Sequence, residues 1–268
     1  MRIRPPAVAG SFYPERATDL QQLLGELLAT AAREKKFNKR FPKILLVPHA
    51  GYIYSGFAAA HAYRYVQQFI NEIDHVVILG PAHQMAVQGI AMIDVDAFQT
   101  PLGNVATEAA VAEKLSAFKN IHINNEAHRL EHCIEVQLPF LQQLKPYLKI
   151  TPLLVGSTPP ATIADIFKIL WHEPKTIFLI SSDLSHYQTY AAAKQHDAQT
   201  ITKLQNFGAL EHDDACGAMV LNGLSTFGQS TALETELLCL NNSGDTRGDR
   251  KRVVGYASMA FFEKSLKL

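Results

Sequence analysis

Short apolar runs of β type alternate with amphipathic stretches along the whole chain, and this rhythm predicts an α/β fold rather than separate α and β regions. Strands are predicted at 43–48, 74–80, 88–93, 150–155, 176–181 and 253–262. Helices are predicted at 56–70, 105–118, 129–145, 160–171, 190–206, 214–227 and 230–240. Ahead of them, TDLQQLLGELLATAAREK places Leu20, Leu23, Leu24, Leu27 and Leu28 on one helical face, which is core patterning. Pro and Gly fall mainly between these elements, where chain breakers belong. SGDTRGDRKR at 243–252 reads as an exposed turn before the last strand, its RGD triplet as loop composition.

Three of the apolar runs end in a group that can bind a metal or move a proton. KILLVPHAGY reaches His49, HVVILGPAH reaches His83, and TIFLISSDLSH reaches Asp183 and His186. Ligands of open α/β sheets collect outside the carboxyl ends of the strands, so residues placed there are expected to converge. A lone histidine at such a point is ordinarily a satisfied core or loop residue. Three with the same placement predict a site.

Composition narrows the class. The chain has 268 residues, 47% hydrophobic and 19% charged, with 25 Lys and Arg against 25 Asp and Glu. That length buries a full core. Zero formal charge, with no basic run beyond REKKFNKR at 33–40, argues against a nucleic-acid partner. The opening MRIRPPAVAGSFYP has no apolar core of a signal peptide and no segment reaches the length of a membrane span, so a soluble, cytoplasmic protein is expected. Three scattered cysteines form no disulfide framework. Cys133 and Cys239 read as small buried apolar residues. Cys216 follows Asp213 and Asp214 in HDDACGAMVLNGL, where an aspartate can cap a helix whose first turn holds the cysteine and favours its thiolate.

These residues suggest a metal site. In P-H-A-G-Y, Pro48 ends a strand and Gly51 allows a tight turn, which would stand the His49 imidazole at the strand tip; G-P-A-H does the same for His83. Two imidazoles and the Cys216 thiolate would leave positions open for water or substrate. Asp183 and His186 in S-S-D-L-S-H can act as orienting carboxylate and general base, or as a turn cap and a solvated ring. If helical, H-R-L-E-H-C-I-E puts His128, Glu131, His132 and Glu135 on one side; without a second matching helix, His132 and Glu135 are better read as cavity lining. The chain has no G-x-S-x-G, Walker, H-E-x-x-H or C-x-x-C motif.

Six motifs taken together, A-G-S-F-Y-P at 9–14, P-H-A-G-Y at 48–52, G-P-A-H at 80–83, E-H-C-I-E at 131–135, S-S-D-L-S-H at 181–186 and A-C-G at 215–217, resemble in order and spacing the Memo family (mediator of cell motility), also described as protein B of the AmmeMemoRadiSam system. The resemblance implies a single domain over 1–268, a three-layer α/β/α sandwich similar to the catalytic subunit of class III extradiol non-haem iron dioxygenases. It implies His49, His83 and Cys216 as ligands of one metal ion, iron first, with copper or zinc as alternatives, and Asp183 and His186 as the catalytic pair beside it. His132, Glu135 and Tyr52 would line the substrate space. Cysteine departs from the two histidines and carboxylate of those dioxygenases, and Gln84 stands where relatives carry a second histidine. Two functions follow: a redox enzyme acting on a small molecule, or a metal-stabilised binding or signalling protein recognising peptides or partners, with a link to AMMECR-type and radical SAM proteins.

Overall fold

A computed structural model describes residues 1–34 and 37–264. Lys35 and Lys36 of the basic stretch, and the last four positions of the domain expected over 1–268, lie outside the described residues. In chain order the strands are β1 (Ile3–Arg4), β2 (Ile44–Val47), β3 (His75–Pro81), β4 (Ile90–Met92), β5 (Ala97–Thr100), β6 (Gly103–Ala106), β7 (Ile121–Ile123), β8 (Lys149–Val155), β9 (Thr176–Ser181), β10 (His186–Gln188), β11 (Leu233–Asn242) and β12 (Val253–Glu263). The helices are α1 (Ala17–Glu34), α2 (Tyr52–Val66), α3 (Ala109–Ser116), α4 (Asn125–Arg129), α5 (Leu138–Leu144), α6 (Pro160–Leu170), α7 (Tyr190–Gln205) and α8 (Ala218–Ser230).

Alternation inside the buried strands decides the layering. Leu45 and Val47 of β2, Val76 and Ile78 of β3, and Ile177 and Leu179 of β9 join one core with Leu20, Leu24 and Leu28 of α1, Tyr63 of α2 and Phe140 of α5. Their neighbours Ile44, Leu46, Val77, Leu79, Phe178 and Ile180 point to a second core with Ile163 and Phe167 of α6, Leu204 of α7 and Leu221 and Leu224 of α8. A strand apolar on both faces must be covered on both, so the continuous apolar runs of the sequence produce a sheet between two helical layers. This is the expected α/β/α arrangement.

The main sheet runs β10-β12-β2-β9-β3-β8-β4-β7, with β11 paired to β12, and β1, β5 and β6 form a small separate sheet. At its centre β2, β9, β3 and β8 are parallel neighbours. The three strands that end in His49, Asp183 and His83 are therefore adjacent and point the same way. Among the described residues no helix is long and apolar enough to cross a membrane.

Two helix expectations fail. Residues 233–242 form β11, paired antiparallel with β12 along its length; Leu and Glu favour a helix locally, and the long partner strand overrides that preference. Within 129–145 the helix begins only at Leu138, after a non-helical segment and the short 3-10 turn Glu135–Gln137. The interval 105–118 likewise opens as the end of β6 before α3 begins.

Acid should weaken this fold through two histidines far from solvent. His75 bridges Thr176 and Thr151 at 3.1 and 2.9 Å, and His128 donates from Nε2 to the Ala91 carbonyl at 2.9 Å. Burial lowers each from 6.5 to about 4. Between those values the unfolded chain binds protons that the native state does not, so stability is complete above pH 6.5 and falls as pH drops toward 4. We expect the urea midpoint to decline over that window and His75→Asn to flatten the decline; an identical slope in the variant would discount His75.

Candidate metal centre

His49 leaves the end of β2 in the turn before α2, and its position is set from behind. Tyr63 donates its hydroxyl to Gln137 Oε1 at 2.6 Å, which turns the Gln137 amide so that Nε2 donates to Ser181 Oγ at 2.8 Å and to the Pro48 carbonyl at 3.0 Å. Ser181 spends its only hydroxyl proton on the Cys133 carbonyl at 2.7 Å. It can therefore only accept from His49 Nδ1, 3.0 Å away. The proton of neutral His49 is thus on Nδ1, and the Nε2 lone pair is directed away from this chain, where Cys216 Sγ lies at 3.3 Å. Burial first, then the nearby rings of His132 and His83, hold His49 well below its ordinary pKa, which keeps it neutral. Gly51 has φ −56°, open to any residue, so the turn expected to need glycine does not.

Glu131 organises the other two imidazoles. Its carboxylate accepts the backbone N–H of His83 at 2.6 Å, of His132 at 2.9 Å and of Cys133 at 3.1 Å. The same group takes His83 Nδ1 at 3.0 Å and lies 3.2 Å from His132 Nδ1. Burial pushes the Glu131 carboxyl up, but the donors from His132 and His83 outweigh it and hold it below the usual carboxylate range. An ionised carboxylate only accepts, so each ring directs an Nδ1 proton at it, and in the neutral tautomer this selects Nε2 is bare. The rings of His83 and His132 stack with centroids 4.8 Å apart. One nitrogen from each of His49, His83 and His132 lies within 4.8 Å of the others.

Cys216 sits one residue before Gly217, which caps α8. A Cβ on Gly217 would come within 2.7 Å of Ser182, so glycine is what lets the cysteine loop close against the end of β9. The sulfur accepts from the Asp183 N–H at 3.3 Å. Burial, then the Asp183 carboxylate, push the thiol up to about 12. The thiolate expected from a helix start alone is not favoured here; a cation in the cavity has to supply the compensation, and a proton leaves as it binds.

His49, His83, His132 and Cys216 line one cavity of about 580 Å³. Asp183 lines it as well, its Oδ1 accepting the His49 N–H at 2.7 Å, with burial raising its pKa. His186 is at the exposed mouth on β10. His212 and Asp213 also line the cavity, though the sequence singled neither out for it. Tyr187 has a left-handed backbone, φ 59°, a conformation a bulky residue adopts only under constraint. Tyr187 also borders an adjoining cavity of about 410 Å³ that shares His132, Asp183 and His186.

Two expected lining residues lie elsewhere. The non-helical path of 130–134 sends the four polar side chains of 128–135 in different directions. Glu135, fully buried, pairs with Arg4 and accepts from Ala7 N, Val8 N and Tyr13 Oη at 2.8, 3.0 and 2.5 Å. Tyr52 is buried with its hydroxyl on the Val136 carbonyl at 2.6 Å. Both tie the site's scaffold together from behind. Glu131 and Ser181, by contrast, take roles the sequence reading did not assign; an acidic residue directly before a candidate histidine was the available signal.

Nitrogens of His49, His83 and His132 gathered at the strand ends of an α/β/α sheet, with the Cys216 sulfur 3.3 Å from His49 Nε2, define a protein with a histidine-rich centre able to hold a metal ion. Residues 4–260 match the Memo-like protein family. MEMO1 family proteins of Aquifex aeolicus and Sulfolobus acidocaldarius are 35% and 34% identical, each over 97% of this chain and 100% and 99% of their own length. One from Metallosphaera sedula is 32% identical over 96% of this chain and 99% of its own. The chain belongs to the Memo family. A crystal structure of an uncharacterised Escherichia coli K12 protein shares the fold, with a TM-score of 0.57 at 13% identity, covering 82% of this chain and 100% of that one.

Proposed function

We propose that the cavity holds one redox-active metal ion, iron or copper, and that the protein is an oxidoreductase acting on a small molecule bound beside it. The observation that carries this reading is the setting of the imidazoles: Glu131 and Ser181 occupy the Nδ1 side of His83, His132 and His49, and one nitrogen from each of the three rings lies within 4.8 Å of the others. A histidine kept only for packing has no need of a carboxylate that fixes its tautomer; a metal-binding one does. The donor set, three imidazoles and a cysteine, fits a borderline or soft transition ion better than magnesium or calcium. Such an ion supplies the one-electron or oxygen chemistry that no side chain here can perform. Asp183 holds the His49 backbone, and His186 at the mouth is placed to exchange protons with whatever enters. A cavity of about 580 Å³ suits a small molecule.

Metal content per chain after anaerobic purification tests the reading. Cys216→Ala should lose most of its metal, while Cys133→Ala and Cys239→Ala keep it and lose only packing, on the order of 1 kcal/mol. Equal retention in all three would remove the cysteine from the donor set. Oxygen uptake with catechols and thiols then separates an oxidoreductase, which consumes it, from a metal-stabilised binding protein, which does not.

A further inference from the structure

Strand β10 does something a regular strand cannot. It pairs with β12 through His186 opposite Val254 and Gln188 opposite Val253, so Tyr187 is an extra, bulged residue. Side chains of a regular strand alternate between faces, whereas here His186, Tyr187 and Gln188 all line the same cavity. In a regular strand His186 and Gln188 would share a face and Tyr187 would turn to the other; the bulge and the left-handed backbone of Tyr187 bring its side chain onto the same wall.

Gln188 is not left to rotate. Its Nε2 lies 2.7 Å from His196 Nδ1, and His196 Nε2 lies 2.9 Å from Asp214 Oδ1. Asp214 is buried and also receives Lys203 Nζ at 2.7 and 3.0 Å, the Glu211 N–H at 2.7 Å and the Thr200 hydroxyl at 3.2 Å. With an ammonium, an amide and a hydroxyl all donating to it, Asp214 acts as an acceptor, so the hydrogen between it and His196 sits on Nε2. The structure sets the Gln188 NH₂, and not its carbonyl, 2.7 Å from Nδ1, which accepts from it. The amide has one polar atom left, the carbonyl oxygen Oε1, and among the described residues no hydrogen bond reaches it.

We propose that Gln188 is a specificity-determining residue of the cavity, offering a fixed carbonyl acceptor to a ligand that carries a hydroxyl or amino N–H donor. His196 and Asp214 are its positioning pair. The inference rests on the reading that the cavity takes a small molecule, and it narrows that molecule to one with a donor group in addition to whatever meets the metal. A site built around an acceptor discriminates strongly against an analogue that lacks the donor.

The test uses the full chain, metal-free and zinc-loaded, with 2-mercaptoethanol and its isostere 1-propanethiol as probes. Long-range nitrogen–proton NMR on histidine-labelled protein should show the His196 proton on Nε2. Finding it on Nδ1 would reverse the amide and overturn the proposal. The wild type should bind the hydroxythiol more tightly than the alkanethiol, with the Gln188 side-chain amide signals shifting. Gln188→Leu should erase that preference by about 10-fold; Gln188→Glu, which keeps an acceptor, should retain it. His196→Phe should weaken the preference without changing metal content. An unchanged preference in Gln188→Leu, or none in the wild type in either form, would sink the idea. A preference seen in the metal-free form together with failure to bind zinc would instead refute the metal reading and leave Gln188 standing.

Discussion

Arg4→Ala will lower the unfolding free energy by about 3–5 kcal/mol, the cost of leaving one member of a buried ion pair alone. Arg4 is 4% exposed and Glu135 fully buried. The guanidinium pairs with Glu135 and also donates to the His128 carbonyl at 3.0 Å and the Glu131 carbonyl at 2.6 Å. Its loss strands Glu135 with two amide donors and Tyr13, too few to offset a buried negative charge. Glu135→Ala should cost as much for the mirror reason. Replacing both residues together, as Arg4→Met with Glu135→Leu, should recover much of the loss, because the desolvation of both charges disappears with them. Denaturant midpoints at constant m-value decide the matter. A double variant no better than either single would mean that the amide bonds of Ala7 and Val8, rather than the charge pair, hold this segment.

Glu131→Gln should reduce metal affinity 10- to 100-fold with little change in the folded structure, the effect typical of losing a carboxylate behind a ligating histidine. A carboxylate accepts from both rings and three backbone N–H groups at once. Both rings meet Oε1 and the His83 N–H meets Oε2, so the NH₂ of the amide must face either the rings or that N–H. Facing the rings, it forces them to carry their protons on Nε2, the atom meant for the ion; facing the N–H, it sets donor against donor and displaces His83. Zinc competition against a chelator measures the change, and circular dichroism confirms that the variant is folded. Affinity equal to wild type would place the binding point elsewhere in the cavity.

The layering was legible because each central strand is apolar at every position, which only a sheet covered on both faces permits. The convergence of His49, Asp183 and His83 was legible for the same reason: parallel strands all end on one edge of the sheet. What stayed hidden depended on the path of irregular backbone. The E-H-C-I-E segment reads as a helix by spacing, and in a helix Glu131, His132 and Glu135 share a side; an irregular, turning path between Leu130 and Ile134 gives them three destinations. Cys216 was placed on the right loop, but its ionisation was misjudged, since the dipole at a helix start is outweighed by burial beside Asp183. The Tyr187 bulge could not be seen at all, because it arises from pairing with a strand more than 60 residues later in the chain.

The belt formed by residues 4–13 has a consequence for synthesis of the protein. It grips Glu135 through Arg4, Ala7, Val8 and Tyr13, and through the Phe12 carbonyl it accepts the Tyr52 N–H at 2.7 Å, beside the His49 turn. The partners of Arg4 and Glu135 are 131 positions apart. At the ribosome, where chains grow by about 5–20 residues per second, the belt waits on the order of ten seconds for its anchor to emerge. Throughout that interval His49 has neither the Ser181 acceptor nor the neighbouring rings that give it direction. An ion bound as proposed would meet the full set of three imidazoles only after translation has passed His132, near the middle of the message.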